Sequence, residues 1–232
     1  VKIEIFSDVA CPWCYIGKRR LESALETFDH RDEVEIVWRS FELAPEMPAV
    51  SPLTSEQYLT SVKGIPRANA RELIKQCSQI GAGEGLDLNF DILKLFNTRS
   101  AHQLLHFAKT AGFQGAFKER LFHAAFSEGR ELGKLDVLVE LAAEVGLDPV
   151  AARAALESEE FLPSVLDDEE EAHASTVRGV PYFVINNKYA LSGAQSTAVF
   201  RNAIATIWQE DHPLQMLADS EGTVCGPDGC AV

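Results

Sequence analysis

The sequence predicts an α/β protein in which a strand-helix-strand unit and a strand-strand-helix unit are separated by a large all-helical insertion. Three observations carry this. Period-two alternation appears near residues 2–6, 33–39 and 179–193, whereas 55–174 is a series of segments with apolar residues three and four apart. Prolines at 45, 48 and 52 break the chain between the two regimes. Cys11-Pro12-Trp13-Cys14 lies where the first strand gives way to the first helix.

Residues 2–6, Lys-Ile-Glu-Ile-Phe, alternate polar and apolar and read as a strand. Pro12 suits a first helical position, since its φ is already helical and its missing N–H would have had no partner there. From Cys14 the residues Gly17, Leu21, Ala24, Leu25 and Phe28 mark one buried face of a helix running to about Asp29, leaving Lys18, Arg19 and Arg20 as its solvated face. Val34, Ile36 and Trp38 alternate along a second strand, which should pair in parallel with the first through a right-handed crossover. Helical patterns then occupy 55–62, 67–81, 97–111, 115–128, 135–145, 149–157 and 160–173. Within them Cys77 shares an apolar stripe with Ala70, Leu73 and Ile74 and reads as a core thiol; Gly81, Gly83 and Gly85 read as a loose linker, and Asp167–Glu171 as a solvated face. Strand character returns at 179–185. Asn186-Asn187 supplies the positive-φ turn of a hairpin, Tyr189–Gly193 the returning strand, and Ser196 the N-cap of a last helix with Phe200, Ala203, Ile204, Ile207 and Trp208 inward. With a C-x-x-C pair at the first strand-helix junction, this order is a thioredoxin-like fold with a large helical insertion. Residues 1–54 and 175–211 are expected to form the core, 55–174 the insertion, and 212–232 a tail carrying Cys225-x4-Cys230.

The 232 residues are 46% hydrophobic, enough for a substantial core. A formal charge of -14 leaves no broad basic surface, which argues against nucleic acid and acidic membranes as partners. No apolar run approaches the roughly 18 residues that span a bilayer, and no leader-like pattern precedes the first strand. Five cysteines, an odd number, argue against a disulfide-stapled secreted domain and for a reducing compartment, so a soluble, cytoplasmic protein is expected.

In a C-x-x-C pair the two sulfurs lie one helical turn apart and can bridge. A sulfur at a helix N-terminus sits among unpaired N–H groups and the positive end of the dipole, which predicts Cys11 as a nucleophile with a lowered pKa and Cys14 as the buried resolving thiol. Asp8, three residues before Cys11, could cap the turn, oppose a Cys11 thiolate or relay a proton to Cys14. Asn97 reads as a helix cap and His102 as a structural histidine; with Asp8 and Trp13 they complete the supporting candidates. In the tail, Gly226-Pro227-Asp228-Gly229 is turn chemistry that folds Cys225 back on Cys230. That pair reads as a second redox couple, a static staple or half of a zinc site. A four-cysteine zinc centre with Cys11 and Cys14 is the non-enzymatic alternative.

The stretches 7–17 around the cysteine motif, Asn97-Thr98 with Ala101-His102, Gly179-Val180-Pro181-Tyr182-Phe183, Gly193-Ala194-Gln195 and the terminal Cys-Gly-Pro-Asp-Gly-Cys resemble the FrnE subgroup of the DsbA-like thiol-disulfide oxidoreductases over nearly the whole chain. The resemblance implies a thiol-disulfide oxidoreductase or disulfide isomerase that needs no cofactor and no metal. Its partners would be proteins bearing disulfides or thiols, with a small-thiol or thioredoxin-type electron donor. It also implies a cis-proline at Pro181, which would turn the Val180 backbone toward Cys11 to pair with an extended substrate. Kappa-class glutathione transferases and hydroxychromene-carboxylate isomerases are similar in fold and in an Asn-Ser/Thr element like Asn97-Thr98, but generally carry serine where Cys11 stands. A glutathione-dependent transferase or isomerase is therefore the alternative enzyme class.

Overall fold

The structure is a computed structural model and describes residues 1–175, 177–213, 225–226 and 229–230. Strand β1 (Lys2–Ser7) leads into α1 (Pro12–Glu26) and β2 (Glu35–Ser40), followed by α2 (Ser55–Gln57), α3 (Arg67–Gly83), α4 (Arg99–Thr110), α5 (Gln114–Phe126), α6 (Leu135–Glu144), α7 (Pro149–Glu157) and α8 (Leu162–Ala174). The hairpin β3 (Tyr182–Ile185) and β4 (Tyr189–Ser192) and the helix α9 (Thr197–Asp211) complete the main body. The main sheet has the order β2-β1-β3-β4, with β1 and β2 parallel and the other two pairings antiparallel. This is the mixed α/β, thioredoxin-like architecture expected. Asn186 and Asn187 turn the hairpin at φ 50 and 54, and the Ser196 hydroxyl accepts the Val199 N–H.

Alternation in β1 sends its side chains to opposite faces. Ile3 and Ile5 pack with Leu21, Phe183, Phe200 and Ile204 under α1 and α9, while Phe6 meets Ala172 and Val177 on the α8 side. Glu4 shares that second face at 4% exposure, tolerable because Arg39 on β2 reaches it at 2.6 Å. A separate apolar cluster joins Cys11, Cys14, Tyr15 and Ile16 to Leu104, Phe122, Phe126 and Leu138. The first turn of α1 is thus embedded in the helical layer while its second half packs on the sheet.

Several surface readings are corrected by distant partners. Lys18 is buried, with Nζ 2.5 Å from both Glu22 and Glu119, and Arg20 donates to Glu84 and to the Ala194 carbonyl. Within the acidic run Asp168 is buried: it accepts from Arg39 and from the Ser40 N–H, both at 2.7 Å, and lies 3.0 Å from His106. Gly81 and Gly83 are not a linker but the end of α3, and Gly81 lets Leu88 lie where a Cβ would stand 2.5 Å from its Cδ1. Leu73, placed on the inner stripe by spacing, is 45% exposed. Residues 55–62 are helical as expected, α through Gln57 and then a π turn over Tyr58–Val62 in which Lys63 N–H reaches the Tyr58 carbonyl.

Candidate active site

Cys11 is the N-cap of α1, at φ -95 and ψ 111, and Pro12 opens the helix. Cys11 and Cys14 are unbonded, buried thiols, and the Cys14 N–H meets the Cys11 carbonyl at 3.1 Å. The Val180-Pro181 peptide is cis, and the Val180 carbonyl lies 3.7 Å from Cys11 Sγ. Gly17 makes this approach feasible, because a Cβ there would press on Pro181 Cγ at 3.1 Å and on the Phe183 ring at 3.3 Å. Tyr15 anchors the same turn on α5, stacking on Phe122 at 4.8 Å and donating to Glu119.

The charges around the sulfurs differ from the expectation. The neighbouring Cys14 sulfur, burial and the Asp8 carboxylate push the Cys11 thiol well above the usual range, against the Cys14 backbone N–H, which favours the thiolate. The sequence reading counted only the helix terminus and so predicted the opposite direction. Asp8 caps as expected, its oxygens accepting the Ala10 N–H at 3.2 Å and the Leu43 N–H at 2.7 Å, but it also faces His102 Nε2 at 3.4 Å. Burial raises the Asp8 carboxyl, yet the His102 ring and the two N–H groups together hold it below its ordinary value. Burial lowers His102, outweighing Asp8.

Lys118 is the site residue that sequence reasoning missed. It is fully buried in α5, its Nζ 3.3 Å from the Ser7 carbonyl and over the rings of Trp38 and Phe122 at 5.4 and 5.0 Å. Burial pushes it down to about 8, against the attraction of Cys14, Asp8 and Cys11. A signal existed in the spacing: Gln114, Phe117, Lys118, Leu121, Phe122 and Ala125 form one buried stripe, so the lysine stands on the apolar face of its helix.

Asn97 does not cap α4 from the N-cap position, which Thr98 occupies; its Oδ1 accepts the Arg99 N–H and its Nδ2 donates to the Pro45 carbonyl, tying the 40–54 loop to the helix. Trp13 is 38% exposed at the rim of a cavity of about 330 Å³ that Cys11, Asp8 and Cys77 also border. Cys77 is buried on α3, as its apolar stripe predicted. Of the terminal pair, Cys225–Gly226 (β5) and Gly229–Cys230 (β6) pair antiparallel with Cys225 opposite Cys230; their side chains lie outside the described residues.

The sequence profile of the DSBA-like thioredoxin domain matches residues 2–205. The chain is 30% identical over 210 residues to the uncharacterized protein YwbO of Bacillus subtilis (strain 168), covering 88% of this chain and 96% of that protein. A probable DsbA oxidoreductase from Streptomyces coelicolor superposes with a TM-score of 0.86 at 38% identity, covering 100% of this chain and 98% of its own. A 2-hydroxychromene-2-carboxylate isomerase superposes with a TM-score of 0.68 at 14% identity, covering 93% of this chain and 100% of its own, a likeness of fold alone.

Proposed function

The chain belongs to the DSBA-like thioredoxin domain family, and on that premise we propose that it is a thiol-disulfide oxidoreductase or disulfide isomerase in which Cys11 attacks and Cys14 resolves. The observation that carries this is the unbonded cysteine pair at the start of α1, with Cys11 against the Val180 carbonyl. The Cys11 thiolate attacks one sulfur of a substrate disulfide and expels the other as a thiolate. Cys14 then attacks the Cys11 sulfur, releasing the reduced substrate and closing the Cys11–Cys14 disulfide. Oxidation of a substrate dithiol runs the same steps in reverse. Lys118 supplies a positive charge in an apolar setting for the Cys14 thiolate, where such a charge acts with little screening. The Val180 backbone, just before β3 and beside Cys11, suits pairing with an extended protein segment bearing the target cysteine.

The finer assignment to the FrnE subgroup rests on the stretches around the cysteine motif, Asn97–His102, 179–183 and 193–195 together with the terminal motif. Directly opposed antiparallel residues have Cα atoms roughly 4.5–5.5 Å apart, inside the roughly 4.4–6.8 Å that a disulfide spans, so the Cys225–Cys230 register is compatible with a disulfide, which the proposal reads as an auxiliary redox pair. The proposed organisation keeps 1–54 with 175–211 as the core, 55–174 as the insertion and 212–232 as the tail, in a reducing compartment. Cysteine where the glutathione-dependent relatives generally carry serine favours exchange over conjugation. The zinc reading depends on side chains of Cys225 and Cys230, outside the described residues.

Insulin reduction and the refolding of a scrambled disulfide protein test the proposal. Cys11→Ser should abolish both, and Cys14→Ser should accumulate mixed disulfides. Equal trapping by both variants, or full activity in Cys11→Ser, would overturn the assignment.

A further inference from the structure

The cavity beside Cys11 lies between the cysteine motif and the first helices of the insertion. Cys11 and Trp13 form one wall, Ser55 and Lys63 belong to α2 and the turn after it, and Leu73 and Cys77 belong to α3. Its volume of about 330 Å³ is that of roughly eleven waters at about 30 Å³ each, at the lower end of the roughly 300–1,000 Å³ of small-molecule sites. Val180 is not on its wall, so the cavity extends beyond the backbone at which a polypeptide strand would pair.

Asp8, Ser55, Lys63 and Thr98 interrupt the apolar lining, and the Asp8 oxygens already accept the Ala10 and Leu43 N–H groups beside Cys11. Ser55 is 8% exposed, and its Oγ has no hydrogen-bond partner among the described residues. A buried hydroxyl without a partner is costly, and a ligand acceptor would relieve it. Lys63 borders the same cavity, exposed and with no acidic partner among the described residues, in a chain whose net charge is -14. An apolar body with one anionic group complements both.

We infer that this cavity is the binding site of a low-molecular-weight apolar disulfide, aromatic or branched, carrying a carboxylate that meets Ser55 and Lys63. The inference rests on the exchange role of Cys11 and names the substrate class for it. The Cys11 thiolate attacks the near sulfur of R–S–S–R′, forming Cys11–S–S–R and expelling R′–S⁻. Cys14, as thiolate, then attacks the Cys11 sulfur, expelling R–S⁻. The protein dithiol is oxidised by two electrons and the ligand disulfide is reduced by two.

Single-turnover mixing of the reduced full chain with bis(4-carboxyphenyl) disulfide or bis(2-hydroxyethyl) disulfide tests this without an added reductant. Each rate is divided by that of N-acetylcysteine to remove intrinsic reactivity. The parent should prefer the aryl disulfide roughly tenfold or more after normalisation, since even one methylene in an apolar pocket is worth about 10- to 200-fold. Leu73→Trp, at a half-exposed position that tolerates bulk, should fill the cavity and lower that preference at least roughly tenfold; Ser55→Ala should lower it severalfold.

Calorimetry of Cys11→Ser with 4-benzylbenzoate, a sulfur-free analogue, reads the cavity apart from the chemistry, and adding Leu73→Trp should abolish that binding. A normalised preference near one that Leu73→Trp leaves unmoved would overturn the inference while exchange by Cys11 stands. So would a peptide disulfide whose rate, unlike that of the aryl compound, falls in Leu73→Trp, since the cavity would then serve a polypeptide. Undiminished reaction in Cys11→Ser with analogue binding intact would instead overturn the role of Cys11 and leave the cavity assigned.

Discussion

Cys11, at the start of α1, and Cys77, on α3, border the same cavity, and both thiols are buried and held above the ordinary range, but for different reasons. Burial alone pushes Cys77 up to about 12. For Cys11 the first cause is the Cys14 sulfur, ahead of burial. The apolar middle of α3 offers no group that could favour a thiolate. The start of α1 has a second sulfur, helix N–H groups, Asp8 and Lys118, whose balance changes as the sulfurs change state. Exposure does not distinguish the two thiols; the groups around them do.

The largest expected effect follows from removing that first cause. In Cys14→Ala the Cys11 thiol should ionise at a lower pH than in the parent, so its iodoacetamide rate at pH 9 should rise. Cys77 in the same protein should alkylate slower by roughly 100-fold or more, as thiolate is the reacting form. Mass-mapped labelling across pH 6–11 reads both. An unchanged Cys11 profile in Cys14→Ala would erase the contrast between the two sites.

A smaller effect concerns Lys118, which has no counterpart beside Cys77. Lys118→Met keeps the volume and removes the charge, so resolution should slow and mixed disulfides should live longer by roughly tenfold or more. Quench-flow of the mixed disulfide measures this, and an unchanged lifetime would confine Lys118 to packing.

The smallest effect is in the pH dependence of stability. Lys118 is lowered from 10.5 to about 8 in the fold, so between those values the unfolded chain binds the extra proton and the lysine contributes stability that grows with pH. Its penalty, about 3 kcal/mol at most, is fully present below pH 8. Cys11 and Cys77 act oppositely: raised in the fold, they hold protons that the unfolded chain loses, so their contribution is full below about pH 8.5 and falls above it. Urea unfolding of the reduced chain between pH 8.5 and 10.5 should therefore show Lys118→Met losing stability more steeply than the parent, by close to one proton. Parallel slopes would mean that Lys118 titrates alike in both states.

Much of the fold was legible because its signals are local. The alternation of Ile3 and Ile5, Pro12 after Cys11, the Asn186-Asn187 turn and the Ser196 cap each act within a few residues, and the structure carries all of them. The misreadings of Lys18 and Asp168 and the omission of Lys118 share another cause. Lys18, Asp168 and Lys118 are charged side chains on helices, for which solvent is the ordinary destination, and their burial depends on partners far away in the chain: Glu119 for Lys18, Arg39 and Ser40 for Asp168, and Ser7, Trp38 and the cysteines for Lys118. Gly81 was misread because its use is contact with Leu88, which spacing does not reveal.

By itself the sequence determined the element order and the place of Cys11 and Cys14 at the start of a helix, because dihedral preference, capping and hydrophobic period act between near neighbours. Only the tertiary structure decided the direction in which the Cys11 thiol is shifted, the burial of Lys118 behind it and the cavity that joins Cys11 to Cys77. Those depend on desolvation and on the field of charges brought together from β1, α4 and α5. Both are set by distances in space that no spacing along the chain encodes.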